Sequence, residues 1–310
     1  MPDERRRMKD STKNLSKMMG LENAERNVHL YLYARYMPHY IYHMGKGAGL
    51  VQKPPAEEIP PEVEELIQLL ALKVMREVTT RETSTYHGKV LPLELAEKLV
   101  SVEEDVELLN LERVIPYEIA RDIVLVNPGT IAVFDCGCRT LQNEPCLPLD
   151  VCMAVGDPLA SFVLEHEVLN ARQVSRDEAI EILKSEHERG HVHAAYFKDV
   201  IGGRFYAICN CCSCCCLGMQ GHNRMGLPML ASSGFLAKVE DGCSACGECV
   251  DICPFDALLM DEEAVVDDVK CMGCGVCVDA CADSLISLEP APEKGEPLDI
   301  DRLIEQSREE

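Results

Sequence analysis

Basic side chains are scarce in this 310-residue chain, with 30 Lys and Arg against 53 Asp and Glu and a formal net charge of −23. A nucleic-acid reader needs a basic face to meet phosphates, so the balance argues against that class. No segment reaches ~18 uninterrupted apolar residues, so no membrane insertion is expected. The stretch from Met1 to Asp10 contains Arg5, Arg6 and Arg7 but no apolar run behind them, so no signal peptide and a cytoplasmic location are expected. A Ser-His-Asp signature, a flavin fingerprint and a Walker loop are also missing. Gly45-Lys-Gly-Ala-Gly49 follows an aromatic segment and leads into Pro54-Pro55, not from a strand into a helix, so it is no phosphate loop. Glu165-His166 lacks the H-E-x-x-H context of a metalloprotease.

What the chain has instead is cysteine, 18 in all. Cys243, Cys246, Cys249 and Cys253 recur as Cys271, Cys274, Cys277 and Cys281 after a constant shift of 28 residues, so one C-x2-C-x2-C-x3-C framework is written twice. Each iron of a 4Fe-4S cubane takes one thiolate, and the tight loop presents three thiolates while aiming backbone N–H groups at the anionic sulfides. Two 4Fe-4S clusters are therefore expected. Zinc prefers paired C-x2-C arms from separate hairpins. Disulfides suit tightly looped cysteines less well than a shared metal does.

From Phe235 to Pro290 the segment resembles bacterial two-cluster ferredoxins, departing in Ala282, which stands where that family usually has proline. The resemblance implies crossed ligation, the fourth cysteine of each motif serving the other cluster. One site would then be Cys243, Cys246, Cys249 and Cys281, and the second Cys271, Cys274, Cys277 and Cys253. Phe235 to Glu310 carries 20 acidic and 5 basic residues, a net of −15, leaving −8 for the rest. Such a field steers a basic-faced redox partner, although acids also simply solubilise a domain. The acidic tail, 291–310, is expected to be loosely held, with one short helical turn around Asp299 to Gln306.

A second cysteine-rich region lies upstream. Thr130 to Phe134 predicts a strand delivering Cys136 and Cys138, with Cys146 and Cys152 following in a Pro- and Gly-interrupted loop. Arg204 to Ile208 predicts another strand, feeding Cys209, Cys211, Cys212, Cys214, Cys215 and Cys216, six cysteines in eight residues. That density points to a metal or redox site, with a further iron-sulfur centre the simplest occupant in a chain already built for clusters, ahead of zinc or a dithiol pair. The two groups are expected to meet at the ends of strands of one small sheet. The C-x-C-R and C-N-C-C-x-C-C-C runs together with the ferredoxin end, about Ile115 to Pro290, resemble a group of iron-sulfur proteins of strict anaerobes. That likeness implies a cysteine-rich module electronically joined to a ferredoxin, and carries no enzymatic activity. So many thiolates also suit a reducing, anaerobic cell.

The first third reads as mostly helical. Val28 to His43 holds five of the nine tyrosines and is broken by Pro38. Tyr33, Tyr36 and Tyr40 share a face suited to core packing or a dimer surface, while a metal site from His29, His39 and His43 lacks ligand spacing. Pro61 to Glu77, Pro92 to Val100 and Val102 to Leu111 are expected helices, with Ser101 and Glu104 as a capping box. Their helix-turn-helix spacing lacks a basic recognition face. A further helix is capped by Ser175 and Glu178 and ended by Gly190. His191 and His193 are read as a strand edge, and Arg139 as a partner for a cluster, an anionic ligand or a salt bridge. The fold class is α+β: a helical region 1–125, a cysteine-rich module 126–234, a two-cluster domain 235–290 and the tail. The expected function is iron-sulfur electron transfer. Alternatives are an oxidoreductase acting on a disulfide or sulfur compound at the middle centre, and a redox-sensing regulator.

Overall fold

A computed structural model describes residues 8–18, 20, 23–80, 86–111, 113–115 and 122–309. Residues 1–7 of the segment read for a signal peptide, and residues 81–85, 112 and 116–121 of the helical region, lie outside the described residues. The fold is α+β. Helices α1 (Asp10–Met18), α2 (Ala24–Arg35), α3 (Met37–Lys46) and α4 (Pro61–Thr80) come first. As Pro38 predicts, the aromatic segment breaks into two helices at Tyr36, and Pro38 occupies the first turn of α3, where no N–H is required.

An eight-stranded sheet follows, with main order β2-β3-β4-β7-β6-β1-β8 and β5 added against β3. Its strands are β1 (Tyr86–Leu91), β2 (Val106–Leu108), β3 (Ile123–Asp135), β4 (Asp150–Asp157), β5 (Arg172–Val174), β6 (Val192–Lys198), β7 (Arg204–Cys211) and β8 (Leu230–Ala231). Both expected strands are present, within β3 and β7. They do not pair directly, because β4 lies between them, with Phe134 opposite Cys152 and Met153 opposite Ile208. Interleaved helices are α5 (Leu93–Val100), α6 (Gly137–Thr140), α7 (Leu159–Glu165), α8 (Arg176–Glu188) and α9 (Leu217–Met225). The Ser175 hydroxyl accepts from the Glu178 N–H to cap α8 as predicted, and Gly190 follows at φ +78. The expected helix over Val102 to Leu111 is replaced by β2, and Ser101 closes α5 instead of opening a helix. Val106 and Leu108 are both buried across from β3, a period of two that three residues satisfy too briefly to read.

The sheet is buried on both faces. Ala132 and Phe134 of β3 and Ala194 and Tyr196 of β6 join a core with the N-terminal helices, whereas Ile131, Val133, Ala195 and Phe197 face a second core with α5 and α8. This strict alternation decides which cysteines can meet. Cys209 and Cys211, two apart on β7, turn to the same face, and Asn210 turns to the other.

The C-terminal unit contains β9 (Phe235–Val239), α10 (Glu248–Ile252), β10 (Leu258–Met260), β11 (Ala264–Val266), α11 (Val276–Ala280), β12 (Ile286–Pro290) and α12 (Ile300–Glu309). The sequence repeat is a structural repeat. Gly247 and Gly275, 28 residues apart, cap α10 and α11 at the same φ of 87° and ψ of −9°. The tail is not loosely held: α12 packs on the second core, with Leu298 and Ile300 fully buried. Ile300→Ala should therefore lower unfolding free energy by about 2–5 kcal/mol, measured by denaturant titration of the metal-loaded protein. A midpoint unchanged from the parent would show that the helix contributes nothing to the core.

Candidate metal centres

Two cavities lie in the C-terminal unit, and each gathers cysteines from both repeats. Cys243, Cys246, Cys249 and Cys281 line one, while Cys271, Cys274, Cys277 and Cys253 line the other. The reason is local. After each short helix the chain turns back, so Cys253 and Cys281 leave their own loops and face the neighbouring one. The Ala257 N–H donates to Cys253 Sγ at 3.3 Å and the Leu285 N–H to Cys281 Sγ at 3.4 Å. Each cavity offers an all-sulfur donor set and approaching N–H groups, so both fit an iron-sulfur cluster.

Their surroundings differ. Cys246 of the first cavity is exposed, whereas Cys271, Cys274 and Cys277 of the second are all buried. The second cavity backs onto the sheet domain through α8. His187, at the last turn of α8, bonds Asp279 of α11 at 2.9 Å and lies against Gly275. Its ring stacks on His193 of β6, centroids 5.3 Å apart, and His193 Nδ1 meets Asn210 Oδ1 at 2.6 Å. Burial holds His193 down to about 4, so its ring is neutral near pH 7. His193 is no strand edge: β6 lies inside the sheet, between β7 and β1.

Gly190 fixes this docking. Its φ of +78 suits glycine, and a Cβ there would lie 2.8 Å from Ile252 Cγ1 at the end of α10. Gly190→Ala should cost about 1–3 kcal/mol and shift the C-terminal unit off α8. Faster hydrogen exchange in α8 and α11 would report it, and exchange identical to the parent's would refute it.

The ten middle cysteines do converge, but not in a single set. Cys136, Cys138, Cys152, Cys209, Cys211, Cys212 and Cys216 line a cavity beneath α3. Cys136 caps the start of α6 and Cys216 the start of α9, whose first N–H, that of Leu217, donates to Cys138 Sγ at 3.5 Å. The thiols of Cys138 and Cys152 point at Cys136 and hold it well below the usual thiol range. Those of Cys138 and Cys211 do the same for Cys216. Cys138 is pushed well up by donating to both neighbours. Cys136 and Cys216 are therefore the thiols most readily deprotonated, and the set is sulfur-rich enough for an iron-sulfur centre. Tyr33 and Tyr206 share a 2.6 Å hydrogen bond on the cavity wall, and the Tyr196 hydroxyl lies 3.7 Å from Cys211 Sγ. Cys146, Cys212, Cys214 and Cys215 gather separately, nearer the surface. Cys212 is held down to about 6, chiefly by the Cys215 thiol and then by the Arg139 charge.

Arg139 is fully buried and links the two halves of the module. Its guanidinium donates to Glu186 at 2.6 Å, to the Asn210 carbonyl at 3.1 Å and to Pro148 O at 2.5 Å. His191 Nδ1 meets the same Glu186 oxygen at 2.7 Å, so the histidine completes this network. Burial disfavours a charged Glu186, yet His191 and Arg139 hold its carboxyl below the usual range. Glu186, His187 and Asn210 were not singled out by sequence reasoning. The only available hint was the His-x-His pair, whose partners come from a helix and a strand distant in sequence. His39 and His43 both bond Glu64 at 2.6 Å, while His29 turns away to Tyr40 at 3.0 Å, so these three histidines do not gather.

A family model described as a 4Fe-4S dicluster domain matches residues 242–284. No curated protein and no solved structure matches the chain. The chain thus carries a 4Fe-4S dicluster domain together with a cysteine-rich region, and iron-sulfur electron transfer in general is supported by both. Among the described residues no helix is long and apolar enough to cross a membrane.

Proposed function

We propose that the protein carries electrons between two 4Fe-4S clusters in residues 235–290 and a further iron-sulfur centre in the cysteine-rich module, residues 126–234. In this reading Cys243, Cys246, Cys249 and Cys281 hold an outer cluster, and Cys271, Cys274, Cys277 and Cys253 hold an inner one. The observation that carries the reading is the relay of packed groups behind the inner cavity. His187 lies against Gly275, stacks on His193, and His193 bonds Asn210, which is flanked in sequence by Cys209 and Cys211 of the middle cavity. Close packing of that kind shortens the gap an electron must cross. The exposed Cys246 gives the other end a contact with a partner.

When bound, such clusters supply one-electron chemistry at potentials between roughly −700 and +450 mV. The chain sets the value. Donors to Cys253 and Cys281 favour the reduced state, whereas the net charge of −15 over residues 235–310 opposes it and fits a basic-faced partner. Eighteen cysteines, all free, suit a cytoplasmic, reducing and anaerobic setting.

The test is stopped-flow reduction of anaerobically purified protein, with EPR of each centre. The Cys274→Ala variant should keep the middle centre assembled yet slow its reduction by a protein donor by an order of magnitude or more. An unchanged rate would sink the relay. A second reading is favoured by the seven thiols that line the middle cavity, more than one cubane uses. There the middle region is the active site of an oxidoreductase acting on a disulfide or sulfur compound. Cyanide that shifts the middle EPR signal selects the enzyme, and an unchanged signal selects the carrier.

A further inference from the structure

The ten cysteines between Cys136 and Cys216 face two ways. Seven line the buried cavity, six of them from the ends of β3, β4 and β7 and the starts of α6 and α9, and Cys212 from the turn after β7. A second group, which has Cys212 in common with that lining, brings Cys146 of the loop before β4 to the turn that holds Cys212, Cys214 and Cys215, and the four sulfurs all lie within 4.8 Å of one another. We infer that Cys146, Cys212, Cys214 and Cys215 bind one tetrahedrally coordinated metal ion, Zn²⁺ or a single iron, in a site separate from the iron-sulfur cavity beside it.

Distance decides the nuclearity. Four thiolates around one ion with bonds of about 2.3 Å stand about 3.8 Å apart along each edge of the tetrahedron. Cys146 Sγ and Cys214 Sγ are 2.9 Å apart, and Cys214 Sγ and Cys215 Sγ 3.6 Å, so small outward shifts reach that edge. A cubane binds each cysteine through a different iron, which spreads the sulfurs well beyond a single-ion tetrahedron. This set is too tight for one.

The surroundings suit an ion as well. Four thiolates around a divalent ion leave a net charge of −2, and the Arg139 charge acts on Cys212 from the buried side. Pro145 and Pro148 restrict the loop on either side of Cys146, and the Cys216 N–H bonds Cys212 O at 3.1 Å, closing the turn that carries the other three. The ion would tie together the two segments that feed the buried cavity, 68 residues apart at Cys146 and Cys214. Binding free energy at such a site becomes folding free energy of the loops it joins.

The inference narrows the proposed third centre to the six remaining thiols, yet its test reads metal and sulfide separately, so either can fail alone. Wild type and Cys146→Ser/Cys214→Ser, both full-length and purified anaerobically, are compared by elemental analysis and acid-labile sulfide. The variant should lose about one metal ion per chain and no sulfide, because a mononuclear site contains none. Loss from the zinc column identifies Zn²⁺, and loss of one iron together with a high-spin ferric EPR signal identifies iron. Unchanged metal content would overturn the site. So would loss of about four irons with four sulfides, which means a cubane, or a thiol count showing the four cysteines paired as disulfides. If the double variant does not fold, Cys214→Ser alone, whose side chain is exposed, is read after reconstitution with Co²⁺. Thiolate-to-cobalt absorption should be weakened relative to wild type, and equal absorption would overturn the site.

Discussion

Serine in place of Cys253 should cost the protein the inner cluster and leave the outer one intact, although Cys253 follows Cys249 by only four residues. Cys253 shares a cavity with Cys271, Cys274 and Cys277, and is absent from the lining of the cavity that holds Cys243, Cys246 and Cys249. Losing one of four thiolates from a buried site leaves an iron without its natural ligand. The expected result is loss of about four irons and four sulfides per chain, with the outer cluster's EPR signal retained. The matching Cys281→Ser variant should do the reverse. If Cys253→Ser removed the outer signal and kept the inner one, crossed ligation would be wrong.

The second large effect is expected from Cys136→Ser/Cys211→Ser. Both sulfurs line the middle cavity, and Cys136 and Cys216 accept from Cys138, with Cys211 beyond, so the pair removes both arms of the thiol chain. The variant should retain the iron and sulfide of two cubanes, about eight of each, and any single ion held by Cys146, Cys212, Cys214 and Cys215, and lose all iron and sulfide beyond these. It should keep its fold, since serine replaces cysteine with little change in volume. Wild type containing no more than about eight irons and eight sulfides would remove the third centre altogether, whatever the variant did. Excising residues 235–310 is a poorer experiment than substitution, because α12 lies in that segment and completes the second core with Leu298 and Ile300.

Several elements were legible because their cause is local. Pro38 breaks the aromatic helix in any context, Ser175 caps α8 with a side chain three residues from its partner, and the 28-residue repeat carries its own turn geometry at Gly247 and Gly275. Elements whose cause is remote were misread. The segment from Val102 to Leu111 has helical spacing, yet pairing of Val106 and Leu108 with β3 draws it into a strand. The acidic tail has a composition suited to solvent, yet Leu298, Ile300 and Leu303 meet a core built some hundred residues and more upstream by α5, β3 and α8.

The same division runs through the candidate sites. The amino-acid sequence alone determined the chemistry, since C-x2-C-x2-C-x3-C written twice and six cysteines in eight residues supply thiolates wherever the chain goes. The strand expected over Arg204 to Ile208 runs on to Cys211 in the structure, and its two-residue period sends Cys209 and Cys211 one way and Asn210 the other. Only tertiary structure decided how the thiols are grouped. Insertion of β4 between β3 and β7 sets Cys152 beside Cys136 and Cys209, while the loop before β4 carries Cys146 away to Cys214. Packing of α8 against α11 puts His187 between the two cysteine-rich regions. Groups separated by tens of residues meet only where sheet order and helix docking bring them, and neither is encoded in the spacing of the cysteines themselves.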